Sequence, residues 1–411
     1  MLSLDRRSLI GGALLSPAAL ALPQMALGAT RALPPAITPA ERLARLAKAR
    51  ALMQRHGLGA ILIEPGASLD YFTGVRWSRS ERLTAALIPA VGEPIIVTPF
   101  FEQPSVAESL GITAEIRTWD EHEEPLRLVA DWLRERKLTA APLGIEETNR
   151  FFIVDRLRAQ LPRLPIRNAN AVVRGCRMIK SPAELALMQA ASDITIEAIR
   201  DTHAKLREGM TPDDISTLLE AGMVARGGSS SWALVLLGEA SAYPHGSGKP
   251  QAVKRGEVVL IDTGCAVRGY QSDISRSFVF GADPTRDRRR VWEQVAQGQK
   301  IAMQAARPGA TAGSVDDAVR GAYTRWGYGP DYKLPGLSHR TGHGIGMEGH
   351  EPVNLVRGET TRLVPGMCFS NEPGIYVPGK FGIRLEDCFH MTATGPKYFS
   401  NPPPSIDRPV D

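Results

Sequence analysis

Cysteine is scarce in this chain. There are four in 411 residues (Cys176, Cys265, Cys368 and Cys388), and no two of them form a CxxC pair. That excludes a zinc ribbon and a thioredoxin-type redox site; Cys265, Cys368 and Cys388, in strand-like segments beside candidate ligands, are expected as small buried apolar groups, and a disulfide stays open for an exported protein. Dense Lys/Arg runs with interleaved aromatics are also missing, so the net charge of +5 does not point to nucleic acid. The RDRRR cluster at 286–290 precedes an apolar-periodic run and reads as a solvated helix start. Signatures of several rival chemistries are absent too. GSGKP (246–250) lacks the first glycine and the final Ser/Thr of a phosphate-binding loop. No G-x-S-x-G elbow occurs, and HEPVN (350–354) is not the HExxH of a zinc protease.

What is present is enough apolar material (43%) for more than one core, and the length predicts two domains. The first 29 residues read as a removable export signal. Arg6 and Arg7 precede an apolar stretch broken by Ser16, Pro17 and Gln24, and Ala26, Gly28 and Ala29 offer a cleavage site. The paired arginine resembles a twin-arginine signal, which implies delivery of a folded protein to the periplasm with no membrane anchor retained. Residues 30–39 are expected to be a flexible leader. From 40 to 176, amphipathic runs alternate with short apolar strands (AILIE, TAALIPA, PIIVTP), as an α/β domain requires. A second domain is expected over 177–402, with a tail at 403–411. It opens on Ser181, Pro182 and Glu184, a capping box with proline at the first helical position. Leu185, Met188, Ala191, Ile194 and Ala198 then mark one buried helix face.

The chemistry-bearing residues lie in this second half. Asp262 and Asp273 flank VRG (267–269), and Glu372 and Glu386 flank VPGK (377–380). As antiparallel hairpins, each pair would sit directly across its ladder, with Cβ atoms about 4.5–5.5 Å apart. Facing carboxylates repel when buried without a cation. With His343 joining them, the two hairpins predict a two-metal cage for divalent ions that accept oxygen and imidazole ligands. A helical segment precedes each hairpin (181–226 and 284–327), a loose duplication of plan that sets the ligands at a central seam.

The segments DTGCAVRGYQSDISRSF, HRTGHGIGMEGHEP, SNEPGIY and GIRLED together resemble the M24 "pita-bread" metallopeptidases. That group includes methionine aminopeptidase, aminopeptidase P and prolidase. The preceding domain is similar to that of the creatinase/prolidase branch. The resemblance implies a creatinase-type α/β N-terminal domain followed by an α+β pita-bread catalytic domain. It also implies two divalent ions (Mn, Co or Zn). Asp262 would bind one ion, Asp273 and Glu386 would bridge, and His343 and Glu372 would bind the second. Glu372 would also shuttle a proton to the leaving amine. His245 and His350 match residues that hydrogen-bond the substrate and tetrahedral intermediate, and Arg384 matches an arginine that orients ligands or substrate beside the metals. The implied reaction is hydrolysis of an Xaa-Pro bond, by a dipeptidase or by an aminopeptidase P on longer peptides. A creatinase-like hydrolase without metal and an inactive binding module are the remote alternatives. A homodimer is also implied, with Trp77 a candidate wall residue. Arg357 is the candidate for a substrate carboxylate, because its fork can grip one bidentately. It favours the dipeptidase. HEPV departs from the HEPP common among close relatives. His339, in a glycine-rich stretch that cannot be helical, is expected to be structural.

Overall fold

A computed structural model describes residues 32–410, so the predicted signal, with Arg6 and Arg7, lies outside the described residues. The first helix, Pro39–His56, starts as its sequence dictates. Thr38 accepts from the Glu41 amide while Glu41 reaches back to the Thr38 amide, and Pro39 occupies the first turn. It lies on a six-stranded mixed sheet whose order is Glu115–Trp119, Ile95–Pro99, Ala85–Pro89, Ala60–Ile63, Leu143–Ile145, Ile166–Asn168. The central strands AILI, AALIP and IIVTP are buried throughout because helices cover both faces. Alternation sends Ile61, Ile63, Ile88 and Ile96 into one core, shared with Leu46 and Met53 of the first helix. Leu62, Leu87, Ile95 and Val97 enter the other, against Leu126, Val129 and Leu133. Trp77 packs half-buried against the first of these cores. All four cysteines are buried and free.

The second half repeats one plan twice. Helices Pro182–Lys205 and Pro212–Val224 cover a sheet in which Val258–Val267 lies between Ser229–Leu237 and Ile274–Val279. Helices Arg286–Ala305 and Ala312–Arg325 then precede five strands in the order Glu351–Leu355, Gly342–Gly344, Cys368–Asn371, Asp387–Met391, Pro396–Tyr398. A two-stranded ribbon, Gly374–Val377 with Phe381–Arg384, extends from this sheet. Each helix pair has its own core, one built around Ile194, Ile215 and Ile261, the other around Val295, Val319 and Phe389. The predicted capping box forms at Ser181 and Glu184. From Leu33 onward the chain is one compact unit. Buried polar contacts hold it together across its length. Arg45 of the first helix donates to the Tyr270 hydroxyl (2.8 Å), which donates to Glu184 (2.8 Å). No helix among the described residues is long and apolar enough to cross a membrane.

Candidate metal centre

The first hairpin turns through Arg268 and Gly269, both at positive φ (50° and 87°), as a two-residue turn between right-twisted strands requires. This turn sets the register. Asp262 pairs with Ser275 rather than with Asp273, so the two aspartates are offset by two positions, not directly opposite as expected. An even offset keeps both side chains on one face, and the diagonal spacing leaves room for an ion between them. In the second hairpin Asn371 pairs with Asp387 and Gly374 with Arg384. Both pairings continue on one register, which sets Glu372 opposite Glu386. Pro373, with no N–H to donate, interrupts the ladder there. The hairpins join edge to edge through a backbone pair, in which the Ser275 amide donates to the Glu386 carbonyl (3.3 Å) and the Glu386 amide to the Ser275 carbonyl (3.1 Å). They also join through the Ser277 hydroxyl, which donates to the Arg384 carbonyl (2.8 Å) and accepts from its amide (3.1 Å).

His343 comes from the short strand Gly342–Gly344 and is 1% exposed. A Cβ on its neighbour Gly342 would sit 2.1 Å from the Ser370 carbonyl oxygen, so glycine permits the close strand approach. His343 Nδ1 lies 3.0 Å from the Gly344 carbonyl, which can only accept, so that nitrogen carries the proton and Nε2 is left bare. Nε2 faces Glu372 Oε1 (3.5 Å), Asp273 Oδ2 (3.6 Å) and Glu386 Oε1 (4.0 Å). Burial, with His350 adding to it, holds the imidazole well below its usual pKa, which suits a neutral ligand.

The electrostatics call for a cation. Burial first, then Glu386, Asp262 and Glu372, push the Asp273 carboxyl well above the usual range. Glu386 is raised well above it by burial, Glu372 and Asp262. Burial lifts Glu372 to about 7 even though Arg384 opposes the shift. Asp262 Oδ1, Asp273 Oδ1 and Glu386 Oε1 are buried with no hydrogen-bond partner. Three groups of ligand atoms each lie within 4.8 Å of one another: Asp262–Asp273–Glu386, His343–Glu372–Glu386 and Asp273–His343–His350. Asp273, His343 and Glu386 each recur in two groups, and of these only the two carboxylates have a second oxygen with which to reach a second ion. The residues therefore fit a divalent-metal centre, and the all-oxygen-and-imidazole donor set suits hard to borderline ions.

Around the cluster, Arg384 is 3% exposed and its fork is fully engaged. It donates to Asp262 Oδ2, Ser275 Oγ (3.1 Å), the Pro244 carbonyl (3.1 Å) and the Tyr376 hydroxyl (3.2 Å). These contacts hold Asp262 in place and leave the guanidinium fully engaged. The Ser275 hydroxyl donates to Glu386 Oε2 (2.8 Å) and so aims the partnerless Oε1 inward. Ser275 carries no sequence signature beyond its place two residues past Asp273. His350 is exposed, and its ring meets that of His343 edge-on at 4.2 Å. His245 is exposed on the loop held by the Arg384–Pro244 contact, within electrostatic reach of both His339 and His350. His339 has both ring nitrogens engaged, by the Tyr376 hydroxyl (2.7 Å) and the Arg340 carbonyl (2.8 Å), in keeping with a structural role. Arg357 is not brought to the cluster. It is exposed, with its guanidinium held by Asp317 (2.9 Å) and Asp331. A substrate carboxylate would have to displace its own chain's aspartates, so the expectation placed on Arg357 is not supported.

Glu351, beside His350, was not singled out by its sequence. Its buried carboxylate accepts from Arg177 (2.6 Å), Lys180 (3.0 Å) and the amides of Met347 (2.9 Å) and Glu348 (3.2 Å). Burial alone would raise this carboxyl, but Lys180 and Arg177 overcome it and hold the pKa down to about 2. The loop that presents His350 is fixed by these bonds.

Residues 186–393 match metallopeptidase family M24, and residues 45–179 match the creatinase/prolidase N-terminal domain. The chain is 34% identical over 369 residues to the probable dipeptidase PepE of Mycobacterium tuberculosis, covering 87% of this chain and 94% of that protein. It is 32% identical to the Xaa-Pro dipeptidase of Lactobacillus helveticus, covering 81% and 90%. Among solved structures, dipeptidase PepE from Mycobacterium ulcerans superposes with a TM-score of 0.82 at 34% identity, over 90% of this chain and 98% of that one.

Proposed function

Because this chain belongs to metallopeptidase family M24, we propose that it is a metal-dependent dipeptidase that hydrolyses the Xaa-Pro bond. The observation that carries this reading is one buried cluster in which Asp262, Asp273 and Glu386 each leave a carboxylate oxygen without a hydrogen-bond partner, while Asp273, Glu372 and Glu386 face the bare Nε2 of His343. Two ions are proposed, manganese, cobalt or zinc. Asp262, Asp273 and Glu386 would hold one, and His343, Glu372 and the two shared acids the other. Bound divalent ions supply Lewis acidity for water and for the scissile carbonyl.

The chain's own groups do the rest. Glu372 is 14% exposed at its side chain and is not tied down by an arginine, whereas Asp262 is held by Arg384. In this reading Glu372 is the carboxylate that takes a proton from the attacking water and returns it to the proline nitrogen. In this reading His350 and His245, both exposed, hydrogen-bond the substrate oxygens. Proline lacks an N–H and fixes φ, so a site reading one bond at an N-terminal residue suits it better than one reading extended backbone. The relatives named Xaa-Pro dipeptidase support this substrate.

The test is paired hydrolysis of Ala-Pro and Ala-Pro-Ala by metal-reconstituted protein, with Asp262→Ala as the inactive control. Preference for the tripeptide would replace the dipeptidase with an aminopeptidase P. Cleavage of neither would overturn the Xaa-Pro reading. Export with the metals already loaded in the cytoplasm, two domains divided near 176, and a homodimer complete the proposal. Arg6 and Arg7 support the first part. Recovery of periplasmic protein that is monomeric by light scattering and metal-free would remove the dimer and the loading route together.

A further inference from the structure

A cavity of about 490 Å³ opens beside His350, and three arginines line it: Arg174, Arg177 and Arg340. Two of them are neutralised by their own chain. Arg174 donates to Glu147 (2.9 Å), and Arg177 is shared by Glu348 (2.7 Å) and Glu351 (2.6 Å). Arg340 differs. Among the described residues its guanidinium meets only a neutral partner, Asn354 Oδ1 at 3.1 Å. It lies three residues before His343, half-buried, and its charge acts on Glu372, His343 and His350. An arginine on the wall of a reaction centre with no anionic partner is a receptor for an anion, and its fork matches a carboxylate. A dipeptide has one free carboxylate, a single residue past the scissile bond. A longer peptide replaces it there with a neutral amide.

We propose that Arg340, braced by Asn354, receives the free C-terminal carboxylate of the substrate and thereby selects dipeptides. This rests on the Xaa-Pro reading of the same centre, and it gives to Arg340 the role expected of Arg357.

The experiment compares Ala-Pro with its C-terminal amide on manganese-reconstituted wild type, Arg340→Gln and Arg340→Lys, with thermal unfolding as the check on folding. Glutamine keeps a donor for Asn354 and loses the charge; lysine keeps the charge and loses the fork. Arg340→Gln is expected to lower kcat/KM on Ala-Pro about 10- to 100-fold, mainly through KM, and on the amide by less than about threefold. Arg340→Lys is expected to fall between wild type and the glutamine variant on Ala-Pro alone. Calorimetric titration with proline and with prolinamide, which needs no turnover, is expected to show the same loss of discrimination. Equal loss on both substrates, or no loss on either, overturns the assignment to Arg340 while leaving the peptidase intact. Failure of the wild type to cut either substrate overturns the Xaa-Pro reading and this assignment with it.

Discussion

Ser275 shows how much of the centre rests on a residue that binds nothing itself. Its hydroxyl accepts from Arg384 and donates to Glu386, and its backbone makes bonds that join the two hairpins. Beneath it, fully buried Arg276 donates to the Ser275 carbonyl (3.0 Å), the Glu386 carbonyl (2.9 Å) and Asp387 (2.8 Å). Side chains that orient ligands in this way typically govern metal affinity about 10- to 100-fold. Ser275→Ala is therefore expected to weaken Mn²⁺ binding by about tenfold in calorimetric titration, and Ser275→Thr, which keeps the hydroxyl, to restore it. Unchanged affinity in the alanine variant would show that backbone pairing alone aims Glu386. Glu372→Gln makes a contrasting case, because it removes the proton carrier as well as a ligand. Loss of kcat by at least about 100-fold is expected there, with addition of excess metal giving no recovery.

Among the structural elements, the loop carrying His350 depends on the Glu351 carboxylate. Glu351→Gln would leave Arg177 and Lys180 with reduced compensation in a buried site, a loss of about 3 kcal/mol in urea unfolding near neutral pH. The sign of the pH dependence follows from a folded pKa near 2 against 4.5 for the free group. The stabilisation is complete above about 4.5 and fades as pH falls towards 2. The gap between wild type and variant should narrow over that window, and a gap that widened in acid would contradict the assignment. The same loop marks the limit of what a sequence discloses. The capping box at Ser181 and the turn at Gly379 are local chemistry and are legible residue by residue, whereas the box at Thr38 falls inside the segment expected to be a leader. The Glu372–Glu386 register follows from that turn. The Asp262–Asp273 register does not follow from spacing alone, because it depends on the two-residue turn falling at Arg268–Gly269 rather than one residue earlier, at Val267–Arg268. Strands Glu115–Trp119, Leu143–Ile145 and Ile166–Asn168 are short or half-exposed and lack the apolar run that marks their neighbours. Arg177 and Glu351 stand 174 residues apart, and no local pattern links them.

At the scale of the whole molecule, the centre is a site that folding creates and then penalises. Two sheets with separate cores bring four carboxylates together, and Tyr270, near the tip of the first hairpin, ties that hairpin to the helix at the start of the described chain. Without metal the gathered acids resist ionisation. Glu372 sits near 7 where the free group has 4.5. Between those values the unfolded chain has released a proton that the metal-free fold retains, so the fold loses stability as pH rises through that window. A bound divalent ion reverses the penalty by favouring the charged carboxylates. Ions that bind only the folded state add about 2.7 kcal/mol at one hundred times the dissociation constant. The increment in thermal unfolding temperature on adding Mn²⁺ should therefore be larger at about pH 7.5 than at about pH 5, and chelation should abolish it at both. In Asp262→Ala the increment should shrink, since one ligand of the first group is gone. An increment that is the same at both pH values would mean that the carboxylates are ionised before metal arrives, with Arg384 alone balancing them.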